Sequence, residues 1–278
     1  MEKKLITNYL NIVEDIIISN IHRYSYSTIQ FYNKNFIKNF IKYILINIFN
    51  RNNRELVFRS SINDKQIKYG LLRSSESFSM IGRERLRNIR ELIHEIKINK
   101  IDGDLIEAGI WRGGVIIYMR ACLLAFNLDK KVFGADSFEG LPEIDDEKYP
   151  ADKIYKKILK NGIDKGLIVQ ENEVLDNLNI FGFKDTKSIL IKGWFEKSLY
   201  DQRIKKLSLI RIDGDMYKST YEALKILYPK LSYGGFVVID DYGLGSKSCK
   251  KAVDEFRLKN KIDNEIISID WTGIYWKK

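Results

Sequence analysis

Four carboxylates at the ends of two short apolar runs are the side chains in this sequence best placed to do chemistry. Ile212-Asp213-Gly214-Asp215-Met216-Tyr217 closes one run, and Val238-Ile239-Asp240-Asp241-Tyr242 closes the next. The 27 residues from Asp213 to Asp240 fit one strand–helix–strand unit. If the two strands are adjacent and parallel, all four acids meet at one rim. Carboxylates held that close repel unless a proton or a cation neutralises them. An all-oxygen ligand set favours Mg²⁺ or a similar hard cation over zinc. The competing reading is two solvated turns with acidic helix caps. Four acids on consecutive strand ends favour the metal.

Two further acids end earlier runs. Glu107 stands in Ile106-Glu107-Ala108-Gly109-Ile110-Trp111-Arg112-Gly113-Gly114. Gly109 and Gly113 permit a tight turn with close approach of a ligand to the backbone. The helix that follows offers free N–H groups at its start. This spacing is not the G-x-G-x-x-G of a dinucleotide loop, which weakens an NAD reading. A carboxylate beside such a loop suits the ammonium of a ligand with an amino acid portion. Asp136, 29 residues after Glu107, ends Val132-Phe133-Gly134-Ala135-Asp136-Ser137. An acid at the end of a second strand can accept hydrogen bonds from both ribose hydroxyls, although a turn or cap role is the common alternative. Together, Glu107 and Asp136 point to a nucleoside cofactor, with S-adenosylmethionine ahead of NAD.

The elements that must hold these acids are legible from residue 102 onward. Strands are expected at 104–108, 131–135, 188–192, 207–212, 236–239, 265–269 and 273–276. Helices are expected at 115–126, 173–181, 217–231 and 248–259, with another at 82–97 ahead of them. Short apolar runs ending in acids are what a parallel sheet covered on both faces requires, and the alternation implies a doubly wound α/β domain. The acidic stretch 141–152 is long enough to be a lid over an acceptor, or simply a solvated loop.

At these motifs the sequence resembles the macrocin O-methyltransferase family, which methylates sugar hydroxyls of macrolide and aminocoumarin antibiotics. The resemblance is carried by Ser79–Leu86, Ile106–Gly114, Ala135–Pro142, Lys192-Gly193-Trp194-Phe195, Arg211–Thr220, Leu227–Gly243 and Gly273–Trp276. It covers 79–278 and leaves the first seventy residues without a clear counterpart. It implies a class I methyltransferase fold, Rossmann-like, with a seven-stranded, mostly parallel sheet whose last strand is antiparallel. It also implies S-adenosylmethionine, Mg²⁺ and a sugar-containing acceptor. By motif, Glu107 and Gly109 would border the methionine part of the cofactor, and Asp136 the ribose, with Ser137 beside it. Gly193 and Trp194 would lie near the adenine. Asp213, Asp240 and Asp241 would hold the metal, and Asp215 would be the general base. Some relatives carry a histidine shortly after the Asp-Asp pair, but here Tyr242-Gly243-Leu244 follows, which moves the base role to Asp215.

Charge separates the chain into two parts. Its 278 residues carry a net charge of +10. Residues 1–100 hold 18 Lys/Arg against 9 Asp/Glu, whereas 101–278 hold 29 against 28. The nearly neutral second part argues against a nucleic-acid partner. The division expected is a basic helical extension over 1–78 and a methyltransferase domain over 79–278. In the extension, residues 35–50 read as an amphipathic helix. Burial against the enzyme or a homo-oligomer partner is the first reading, and peripheral membrane contact the second. Two cysteines, no secretory signal pattern and no long apolar run suggest a cytoplasmic protein, with the inner membrane face as its other expected place. The competing functions are a catechol-type small-molecule O-methyltransferase and a non-catalytic, membrane-associated scaffold. The cationic front section further suggests that the sugar belongs to a surface polysaccharide or glycoconjugate.

Overall fold

The computed structural model describes residues 2–21, 24–28, 57–71, 76–160, 162 and 166–278. Its first elements are helix α1 (Glu2–Ile17), strands β1 (Tyr24–Thr28) and β2 (Val57–Ser61), and helices α2 (Asp64–Tyr69) and α3 (Arg83–Ile98). Then follow β3 (Asp104–Ala108), α4 (Gly114–Ala125), β4 (Val132–Asp136), α5 (Tyr155–Lys160), α6 (Glu171–Ile180), β5 (Ser188–Lys192) and α7 (Phe195–Ser198). The last are β6 (Leu207–Ile212), α8 (Tyr217–Leu227), β7 (Leu231–Ile239), α9 (Ser248–Lys259), β8 (Ile267–Ser268) and β9 (Ile274–Lys277).

Seven strands form one sheet in the order β5-β4-β3-β6-β7-β9-β8. Strands β3 to β7 pair in parallel, and β9 runs antiparallel to β7 and to β8. This is the expected α/β fold. After β5 the chain crosses to the other side of β3, so the order reverses between β3 and β6, where open α/β sheets bind ligands.

Alternate strand residues face opposite layers, as the two-residue period of a strand dictates. Leu105, Leu209 and Val238 join the apolar layer that contains α1, α3 and α4. Ile106, Ile210 and Val237 join the layer on the other face. Pro229 ends α8 earlier than the expected 217–231, because a helix interior cannot accommodate its ring. A 3₁₀ turn at Tyr228–Lys230 follows, and β7 begins at Leu231 instead of Phe236.

The first seventy residues are less purely helical than expected. Among the described ones, β1 and β2 form an antiparallel pair. The expected 35–50 helix lies outside the described residues. Helix α1 is built into the enzyme: Leu10, Val13 and Ile17 are buried in the layer shared with α4. Glu14, a buried acid on this helix, accepts a 2.5 Å hydrogen bond from the Tyr118 hydroxyl and lies 3.2 Å from Arg90. The Ile17 carbonyl accepts the Phe78 N–H, and the Phe78 carbonyl accepts the Gly114 N–H, which ties α1 to the start of α4.

Leu10 is 1% exposed and Leu5, on the opposite side of α1, is 61% exposed. Leu10→Ala is expected to cost about 2–5 kcal/mol, while Leu5→Ala changes stability by less than about 0.5 kcal/mol. Urea denaturation with an unchanged slope would measure both. Equal, small effects would mean that α1 is not part of the cooperative unit.

Candidate functional site

Strand register sets the acids side by side. Glu107 on β3 lies opposite Arg211 on β6, and Arg211 lies opposite Val238 on β7. One residue beyond the strands, the Asp213 N–H donates to the Ala108 carbonyl (2.9 Å) and the Asp240 N–H to the Ile212 carbonyl (3.0 Å). Gly109 is required at this crossing: its φ is +90°, and a Cβ there would lie 1.9 Å from the Asp213 carbonyl oxygen. No L side chain fits that space or favours that angle.

Arg211 is 1% exposed and stands among three carboxylates. It donates to Glu107 Oε1, to Asp240 Oδ1 at 2.6 Å and to Asp213 Oδ2 at 3.0 Å. Arg85, buried on α3, donates to Asp240 Oδ2, to Asp270 Oδ2 at 2.8 Å and to Thr272 Oγ1. Both oxygens of Asp240 are therefore paired with guanidinium groups. Part of the neutralisation that the sequence suggested for a metal is supplied by these two arginines. Burial opposes the Asp240 charge, but Arg211 and Arg85 outweigh it and hold this carboxyl below its ordinary value. Burial pushes Glu107 up to about 8, with Arg211 acting in the opposite direction.

Asp241 differs from its neighbour. It is buried, and its Oδ2 accepts the Asp215 N–H at 3.0 Å. Burial, and then the charges of Asp215, Asp213 and Asp240, push it well above the ordinary carboxylate range. Oxygen atoms of Asp213, Asp240 and Asp241 all lie within 4.8 Å of one another. Their hard-donor chemistry, and the unfavourable charge on Asp241, fit a small divalent cation. Asp215 takes a left-handed backbone conformation (φ +50°) that is uncommon for a residue with a side chain. It is held there by its N–H on Asp241 and by the Tyr155 hydroxyl on its carbonyl (3.0 Å).

Two clefts meet at these acids. The first encloses about 740 Å³, its open mouth included, and is lined by Gly109, Asp136, Ser137, Trp194 and Lys218, among others. The second, about 940 Å³ on the same basis, is lined by Arg85, Asp240, Asp241, Leu71, Leu244 and Trp271, among others. Met80, Leu167, Asp213 and Asp215 line both. The shared wall is where molecules bound in the two clefts would meet.

The expected residues divide between wall and support. Asp136 lies on the wall of the first cleft, and its carboxylate accepts the N–H groups of Ile110 (2.9 Å) and Phe138 (2.8 Å). Burial raises its pKa against those bonds. Ser137 Oγ accepts the Glu139 N–H and donates to the Gly140 carbonyl, which shapes the turn. Gly193 stands behind Trp194, its N–H on the Asp136 carbonyl at 2.8 Å. Glu107 lines neither cleft; its Oε2 is buried without a hydrogen-bond partner among the described residues.

The stretch 141–152 does not cover the second cleft. Leu141 and Pro142 line the first. At the other end, Asp152 is buried and accepts the N–H groups of Tyr217 (2.6 Å) and Lys218 (3.0 Å), capping α8 from a distance. Sequence reasoning missed Asp152, and it missed Arg85 and Arg211. The available signal for Arg211 was a lone arginine inside the apolar run Leu207–Ile212, since such a residue is rarely buried unless paired.

A family model described as Macrocin-O-methyltransferase (TylF) matches residues 6–278, reaching further toward the N-terminus than the motifs did. The chain is 40% identical over 205 residues to demethyldecarbamoylnovobiocin O-methyltransferase of Streptomyces niveus, covering 73% of this chain and 77% of that protein. It is 38% identical over 204 residues to 8-demethyl-8-(2,3-dimethoxy-alpha-L-rhamnosyl)-tetracenomycin-C 4'-O-methyltransferase of Streptomyces olivaceus, covering 73% and 76%. Among solved structures, the O-methyltransferase NovP superposes with a TM-score of 0.81 at 31% identity, covering 98% of this chain and 99% of that one.

Replacing Arg211 with methionine keeps the stem and removes the charge that Glu107, Asp213 and Asp240 share. The expected loss is about 3–5 kcal/mol, because breaking a buried pair leaves uncompensated charge. Adding Glu107→Gln to Arg211→Met should restore part of it. Chemical denaturation of the three proteins checks this, and equal stability of Arg211→Met and wild type would contradict the account.

Proposed function

The chain belongs to the macrocin O-methyltransferase family, and from that premise we propose that it is a Mg²⁺-dependent enzyme that methylates a sugar hydroxyl. It is an O-methyltransferase with the fold of S-adenosylmethionine-dependent methyltransferases. The observation that carries the finer reading is the junction of two clefts at Asp213 and Asp215, beside the buried Asp240 and Asp241. The relatives named above, one of which acts on a rhamnosyl sugar by its name, support a sugar acceptor.

S-adenosylmethionine, when bound, supplies a methyl group activated by its sulfonium. Gly109, Asp136, Ser137 and Trp194 form the wall that receives it, with Gly193 and Glu107 behind them. The Asp136 carboxylate, oriented by the N–H groups of Ile110 and Phe138, lies on this wall, where it would accept from ribose hydroxyls. Mg²⁺, when bound, supplies the Lewis acidity that makes a sugar hydroxyl a better nucleophile near neutral pH. Asp213, Asp240 and Asp241 are the residues that would hold it. Asp215 takes the hydroxyl proton on its carboxylate as general base. Its constrained backbone holds it at the border of both clefts, so that positioning contributes to the rate.

The acceptor reading extends to a glycoconjugate or surface polysaccharide, on the strength of the cationic first hundred residues. The same charge supports a cytoplasmic enzyme with peripheral membrane contact or self-association through residues 35–50. No described helix is long and apolar enough to cross a membrane. A catechol-type acceptor is the second reading, and assay against free catechols separates the two.

Asp241→Asn should lower kcat by at least about a hundredfold with an unchanged denaturation midpoint, since the native group already resists ionisation. Wild-type activity should vanish in EDTA and return with Mg²⁺. Full turnover in chelator would remove the metal from the reaction. Asp215→Asn should lower kcat by about 10²–10⁴-fold while S-adenosylhomocysteine affinity, measured by calorimetry, stays within about twofold. Weakened cofactor binding instead would indicate a structural role.

A further inference from the structure

Of the stretch 141–152, Leu141 and Pro142 line the first cleft and no residue lines the second. Its far end does something different. Pro150–Ile154 form a 3₁₀ turn that runs directly into α5, and this turn is bonded to both of the loops that carry the four acids. On one side, Asp152 is 1% exposed, and its two oxygens accept the N–H groups of Tyr217 and Lys218, which open α8. Tyr155, buried at the start of α5, places its hydroxyl on the Asp215 carbonyl at 3.0 Å.

On the other side, the Ser248 hydroxyl at the start of α9 donates to the Ala151 carbonyl at 2.6 Å. The Ser246 hydroxyl shares a 3.2 Å hydrogen bond with that of Tyr155. A phenol has one proton, and a carbonyl can only accept. With the Tyr155 proton on Asp215, the Ser246 hydroxyl is the donor to Tyr155. The chain Ser246–Tyr155–Asp215 therefore links the loop after β7 to the loop after β6.

This linkage acts where the backbone is least at ease. Asp215 has a left-handed φ of +50°, a conformation that a residue with a side chain keeps only when its surroundings over-determine it. Its N–H is held by Asp241 Oδ2 and its carbonyl by Tyr155, and the N–H groups just beyond Met216 are held by Asp152. Fixing the peptide groups on both sides fixes the direction of the Cα–Cβ bond, and with it the place of the carboxylate.

We propose that Tyr155, together with Asp152, is a positioning residue for methyl transfer: the turn 150–155 is a clamp that aims the Asp215 carboxylate at the acceptor hydroxyl. This rests on the reading of Asp215 as general base. Neither Tyr155 nor Asp152 lines either cleft, so both act through Asp215 and not on a bound molecule. The stretch that reads as a lid in the sequence serves the reaction from behind the site.

Tyr155→Phe removes the hydroxyl and keeps the ring, so it tests the clamp with little disturbance of packing. With S-adenosylmethionine, Mg²⁺ and methyl α-L-rhamnoside as the probe acceptor, it should lower kcat about tenfold, with the KM for S-adenosylmethionine within about twofold of wild type. Added to Asp215→Asn it should cost nothing further, since a positioning residue has no effect once the group it positions is gone. Hydrogen–deuterium exchange read by mass spectrometry needs no acceptor. Amides of 213–218 should exchange about threefold faster in Tyr155→Phe, with α1 and β9 unchanged. The same tenfold loss in the Asp215→Asn background, or unchanged exchange over 213–218, overturns the proposal. Faster exchange throughout the chain also overturns it, by giving Tyr155 a purely structural role. Where wild type does not turn the probe over, the exchange result alone upholds or overturns the clamp. Full turnover by Asp215→Asn would sink the general-base reading itself, a result distinct from loss of the clamp because the exchange difference would remain.

Discussion

Arg211 is a cation held inside a parallel sheet, and the arrangement of the acids follows from it. Strand alternation sends Glu107, Arg211 and Asp240 toward the same layer as Leu105, Leu209 and Val238. That layer is built mainly of apolar side chains, so an unpaired charge there would be severely penalised. One guanidinium with five donors in a rigid fork can serve several carboxylates at once, and here it reaches Glu107, Asp213 and Asp240. Lysine, with one point charge, would not span the three strands in this way.

A network of this kind need not add much net stability, because desolvation of the ions offsets much of their attraction. What it supplies is position. Asp240 is held by Arg211 from within the sheet and by Arg85 from α3. Arg85 is in turn held by Asp270, so the turn before β9 moves with the acids. Asp241 stands next to this network with no arginine of its own among the described residues. The protein thus keeps one aspartate ionised and its neighbour reluctant to ionise, one residue apart. That contrast is what the proposed cation beside Asp241 rests on.

Much of the fold was legible because its signals are local. Apolar runs such as Phe236–Ile239 mark buried strands, and their spacing with helices between them implies parallel order. Glu107, Asp136, Asp213 and Asp240 could be placed at strand ends for the same reason. Other features were not legible. Arg85 lies in a helix start that also holds Arg83, Arg87 and Arg90, and periodicity does not say which of them meets an acid 155 residues away. Asp152 read as part of a lid or a solvated loop, yet it caps a helix that begins 65 residues later. The first seventy residues gave weak patterns, although α1 is built into the core through Leu10, Val13 and Ile17.

Residue order alone therefore determined the α/β class, the strand ends and the identity of the acids, since each depends on neighbours within about one strand–helix–strand unit. Tertiary structure decided which acids are paired with arginines, which has no such partner among the described residues, and which residues line the second cleft. Those properties depend on register across β3, β6 and β7 and on the crossing of α3 and the β8–β9 turn over their ends. Charges and ring faces act through distances in space, and sequence separation carries no information about those distances until the sheet has set them.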